Sequence, residues 1–155
     1  MDQSTTHLDL ALQAAVRRCM DDVVRQANAD AMLLDGAKME KNQIRNVLNV
    51  ADESHSLAVV AAFIRYQLGR SNTGRAWQHN GFGLRVIEQI EASQGIVARQ
   101  AERVLKQAQE RVGDISAAKM DDVRYDLARC YLGYLHWAFY YGNETGNWDN
   151  LRVPE

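Results

Sequence analysis

The sequence predicts an all-α fold, a single-domain bundle of about five helices. Apolar residues recur at three- and four-residue steps along most of the chain. Period-two alternation is absent, and β-branched residues never cluster as strands require. The sole proline is Pro154, so only glycines and polar clusters interrupt helical stretches. With 155 residues the chain can bury a core without disulfides or metals to staple it. The bundle is expected over residues 1–142. A flexible, Gly/Asn-rich tail is expected over 143–155, with Trp148 available as an anchor.

The first helix is expected over about residues 6–33, where Leu8, Leu12, Val16, Cys19, Val23 and Ala27 form one stripe. Ser4, Thr5 or Thr6 can cap it, and Asp35-Gly36 ends it through the left-handed conformation that glycine accepts. The second, about 40–51, buries Ile44, Val47, Leu48 and Ala51. The third, about 54–70, is capped by Ser54 or Ser56 and carries two apolar stripes. One holds Leu57, Val60, Ala61, Ile64 and Leu68, the other Val59, Phe63 and Tyr66. A helix apolar on two sides is expected between neighbours, at the centre of the bundle.

A polar loop at 71–75 precedes Trp77 and the Asn80-Gly81 turn signal. The fourth helix is expected over about 82–112, with Gly95 as a weak point costing about 1 kcal/mol against alanine. Gly113-Asp114 stops it. The fifth, about 116–141, places Val123, Leu127, Cys130, Tyr134, Trp137 and Tyr141 on one face, with Leu132, Leu135 and Phe139 beside it. Its many aromatics suit either core packing or interface anchors.

Signatures of catalysis and metal binding are missing from the sequence. His7, His55, His79 and His136 fall in separate segments without ligand spacing, and no Glu-x-x-His pair marks a di-iron bundle. In Asp21-Asp22 and Asp121-Asp122 adjacent side chains diverge by about 100° on a helix, so each pair reads as a solvated face. Gly81-Phe-Gly83 follows no strand and reads as a turn and helix start. Cys19 and Cys130 lie on apolar stripes as buried small hydrophobes. The expectation is a protein that is not an enzyme and takes no cofactor or metal. No apolar run reaches the roughly 18 residues of a membrane span, and the N-terminus has no secretory pattern, so a cytoplasmic protein is expected.

Charge is uneven beneath the net value of −2. Residues 38–106 hold ten basic and six acidic side chains, a local +4, while each flanking segment carries −3. Such asymmetry favours a local anion-binding surface. On the second helix Lys41, Asn42, Arg45 and Asn49 share the side opposite the apolar stripe, and Lys38 can join them. Lys and Arg neutralise phosphates, and amides donate to phosphate or ribose oxygens. Arg70 and Arg75 flank the polar loop, with Trp77 close by as a stacking surface. A solvated basic face around a core tryptophan fits the same residues.

The segment Asn42-Gln43-Ile44-Arg45-Asn46, followed by Phe63-Ile64-Arg65-Tyr66-Gln67-Leu68-Gly69-Arg70, resembles the small all-helical subunit of type III CRISPR effector complexes. The resemblance covers about thirty residues, and the aromatic C-terminal stretch has no counterpart in it. It implies a non-catalytic subunit that stacks with copies of itself and with other effector subunits, touching guide and target RNA through basic residues. Gln43, Arg45, Arg65 and Arg70 are the positions it matches. Lys41, Asn42 and Arg75 join them from the face geometry. A helical adaptor that binds only protein, through the fifth helix, is the competing expectation.

Overall fold

A computed structural model describes residues 3–152, with side chains from residue 6 onward. The side chains of the expected caps Ser4 and Thr5, and the last residues of the tail, 153–155, lie outside that description. The chain forms an all-α bundle with no strand among those residues. Helices α1 (Gln3–Ala31) and α7 (Ala117–Thr145), each of 29 residues, pack along one another. Helix α6 (Ile96–Val112) packs against both. Helix α2 (Lys41–Ser54) lies on the other flank of α7, and α3 (Leu57–Gly69) packs against α2 and α5 (Phe82–Glu91). The five-residue α4 (Gly74–Gln78) bridges α3 and α5.

Local chemistry explains most element ends. Gly36 and Gly113 both take positive φ, as their stop signals require. Between α2 and α3 the two candidate caps share the work. Ser56 Oγ accepts from Val59 N at 3.3 Å, and Ser54 Oγ accepts from Ser56 N at 3.2 Å. His55, between them, turns the chain in the left-handed region.

The structure departs from the expected elements in four places. The fourth helix is two: Ala92 is extended, and a bend through Gly95 separates α5 from α6. A Cβ at Gly95 would run into the carbonyls of Glu88 and Gln89, so the chain closes here too tightly for any side chain. Gln89 Oε1 then accepts from Ile96 N at 2.8 Å and satisfies the new helix start. The loop at 71–75 is partly helical, because Gly74 tucks under the Leu68 carbonyl and begins α4.

The third departure concerns α3, which is not central. Its first stripe is buried or half-buried, but Val59 and Tyr66 are 46% and 59% exposed, and Phe63 is half-buried. Helices α2 and α5 cover its flanks, and no described element covers its outer face. The fourth concerns α7, whose core face runs through Leu127, Tyr131, Leu135, Ala138 and Gly142, about one residue round from the expected stripe. Trp137 consequently faces solvent, 69% exposed. Beyond α7, Trp148 is buried against Gly142, where a Cβ would collide with the indole ring.

A polar knot sits inside the core. Asp30 on α1, 3% exposed, receives the Tyr131 hydroxyl at 2.6 Å, Gln89 Nε2 at 3.1 Å and Gln26 Nε2 at 3.1 Å. Three helices are thereby tied to one carboxylate, with every hydrogen bond running toward it.

Candidate nucleic-acid interface

Helices α2 and α7 run antiparallel, and their seam can be followed pair by pair. Lys41 forms an ion pair with Glu144 and lies 5.5 Å from the centre of the Tyr140 ring. One turn along, Arg45 stands beside His136, whose imidazole is held below its ordinary value by burial and then by that guanidinium. Leu48 lines the same cleft as Gly133 and Trp137. Asp52 accepts from Arg129 Nε at 2.7 Å, and the Tyr125 hydroxyl donates to the Ala51 carbonyl at 2.7 Å.

The seven expected contact residues divide by what the fold already does with them. Lys41 is committed to Glu144, which raises its pKa through the hydrogen bond and then the opposite charge. Arg65 points to α5, where Nη2 meets Glu91 Oε2 at 2.8 Å. Gln43 is half-buried, and its Oε1 accepts from Trp77 Nε1 at 2.8 Å. That bond fixes Trp77 in the core at 1% exposure, so it offers no stacking surface. Asn42 is exposed at the start of α2.

Arg45, Arg70 and Arg75 are all exposed, and no carboxylate lies within ion-pairing distance of them among the described residues. Arg70 instead lies over the Tyr66 ring, 5.6 Å from its centre. Arg75 shares a cleft of about 470 Å³ with Lys38, Asn72 and His79.

These three guanidinium groups have different neighbours: Arg45 faces His136 of α7, Arg70 the Tyr66 ring of α3, and Arg75 the cleft with Lys38 and His79. The hairpin of α2 and α3 brings the start of one helix beside the end of the other, and the Gln43–Trp77 bond ties α4 to the same place. Asp35 and Glu40 are also exposed at this end, so the surface is mixed with a basic excess. Arg65 stands apart, facing α5.

Sequence reasoning left Trp137 and Tyr140 between core packing and interface anchors, put Trp137 in the core stripe, and did not single out His136. Gly133, in the middle of an aromatic helix, was the available signal. Among the described residues, no group of His, Cys, Asp and Glu is arranged to hold a metal ion, and no helix is long and apolar enough to cross a membrane. Comparison with protein-family models, curated proteins and solved structures finds no match to this chain.

Proposed function

We propose that this protein is a non-catalytic, RNA-backbone-contacting subunit of a cytoplasmic ribonucleoprotein. The resemblance of its α2–α3 segment points to the small subunit of a type III CRISPR effector, with guide and target RNA as ligands. The observation that supports RNA contact is the exposure of the Arg45, Arg70 and Arg75 guanidinium groups, none within ion-pairing distance of a carboxylate among the described residues. Arg70 rests over the Tyr66 ring without a carboxylate partner, whereas Lys41 and Arg65 form surface ion pairs with Glu144 and Glu91. Three phosphate contacts to a single strand correspond to a salt slope of about −2 in log K against log[salt]. Affinity of the isolated chain is therefore weak, and stacking of copies and neighbouring subunits supplies avidity.

The outer face of α3, with Val59 and Tyr66 exposed, is the surface that favours a second reading, a helical adaptor that binds only protein. Arg45→Glu combined with Arg70→Glu separates the two. Fluorescence anisotropy with single-stranded RNA at low salt should show at least a tenfold loss of affinity and a flattened salt slope, with far-ultraviolet circular dichroism unchanged. RNA binding that survives the double substitution removes this assignment. Partner binding that hardly changes with salt supports the adaptor.

A further inference from the structure

Gly133 sits in the middle of α7, where glycine weakens a helix. Two other helical glycines have a packing reason for lacking a side chain, while Gly69, the last residue of α3, meets nothing within 4 Å. A Cβ at Gly83 would lie 2.8 Å from Leu68, and one at Gly142 would strike the Trp148 ring. At Gly133 the nearest atom is Nη1 of the Arg129 side chain, at 3.3 Å. That guanidinium is held by Asp52, through Nε at 2.7 Å and Nη2 at 3.3 Å, so Gly133 gives it room beside α7.

Its missing side chain leaves a notch on the outer side of the seam, part of a cleft of about 290 Å³. Leu48 and Tyr134 line the cleft, with His136 and Trp137 beside them. The Trp137 indole stands out from the surface, braced edge-on by Tyr134 with ring centres 5.6 Å apart. His136 Nδ1 is buried with no hydrogen-bond partner. Arg45, the unpaired cation of α2, flanks the same imidazole. A flat exposed ring beside a cleft, with an adjacent guanidinium, matches a base and its phosphate.

We propose that this cleft receives a nucleobase of single-stranded RNA, stacked on Trp137 with its edge over Gly133, while Arg45 neutralises the neighbouring phosphate. The proposal rests on the RNA-binding function above and extends it from backbone contact to base stacking. Aromatic stacking tolerates any base, so the site adds affinity without reading sequence.

Tryptophan emission tests it, because Trp137 alone among the three tryptophans is open to solvent. The probes are a short single-stranded oligoadenylate and, as a phosphate chain without bases, inorganic polyphosphate. Oligoadenylate should quench the emission. Gly133→Ala should weaken its binding at least fivefold with helicity unchanged, since the added methyl narrows the cleft. Polyphosphate should bind wild type and Gly133→Ala alike and leave the emission unchanged. Trp137→Ala, at an exposed position, should lose the same affinity for oligoadenylate with the fold intact.

Oligoadenylate that binds wild type and both variants equally, without quenching, overturns the base site and leaves backbone contact standing. If neither polyanion binds, the RNA-binding function itself falls. Trp137 emission that shifts with a co-purifying protein subunit, but not with oligoadenylate, assigns the cleft to protein and refutes the proposal.

Discussion

Replacing Tyr131 by phenylalanine removes one oxygen from a side chain with no exposed surface. Burial holds its phenol well above the ordinary range, so the hydroxyl remains a donor at all working pH values. It donates to Asp30 at 2.6 Å, the shortest of the three hydrogen bonds on that carboxylate. A hydrogen bond to a charged group contributes about 1.5–3 kcal/mol, and the variant leaves a buried acceptor short of a donor. For a domain of this size, 1 kcal/mol shifts Tm by about 2–4 °C, so a fall of about 4–10 °C is expected.

The loss depends on pH. Burial raises the Asp30 carboxyl above its ordinary value, and the hydrogen bonds from Tyr131, Gln26 and Gln89, with the charge of Arg85, oppose that rise. A carboxyl with a raised folded-state pKa holds its proton more tightly when folded. Its stabilising contribution is full below the unfolded value and is lost as pH climbs through the folded value. Removing the Tyr131 donor raises the folded value further. The deficit of Tyr131→Phe should therefore be full above the folded-state values of both proteins, and should shrink on acidification once Asp30 is protonated in both. Urea unfolding at several pH values measures it directly. A deficit under about 0.5 kcal/mol, or one that does not change with pH, would refute the view of Asp30 as a buried carboxylate held by converging donors.

Two further substitutions test the placement of individual side chains. Gly142→Ala forces a methyl group into the Trp148 ring and should cost about 1–3 kcal/mol, with Trp148 becoming accessible to acrylamide quenching. Unchanged quenching would show that Trp148 does not pack on α7. Gln43→Ala strands the Trp77 indole N–H in the core and should destabilise by about 1–3 kcal/mol in urea, with RNA affinity altered less than about twofold. A large loss of RNA affinity at unchanged stability would instead make Gln43 a contact residue.

The α2–α3 hairpin shows where pattern was enough. A narrow apolar stripe of Ile44, Val47, Leu48 and Ala51 has one orientation that buries it, and all four are buried. The turn between the helices was legible from Ser54 and Ser56, because capping is chemistry between near neighbours in the chain. The break before α6 was signalled only as a weakness at Gly95. Its cause is a close approach of backbone to backbone, which helical periodicity does not encode. Half of the candidate interface was legible in the same sense. Arg45, Arg70 and Arg75 lie outside because nothing apolar competes for their positions, whereas Lys41 and Arg65 found acids on helices far along the chain.

By itself the sequence determined that the chain is helical, where most helices begin and end, and where its basic residues concentrate. Those properties follow from interactions within a few turns. Tertiary structure alone decided which tryptophan is buried and which stands free: Trp77 follows a polar loop yet is buried, and Trp137 lies on an aromatic helix yet is exposed. It also left α3 with an uncovered apolar face and rotated α7 so that Tyr131 reaches Asp30. A helix apolar on most sides has no preferred direction of its own, and only the neighbours that pack against it select the side that stays dry.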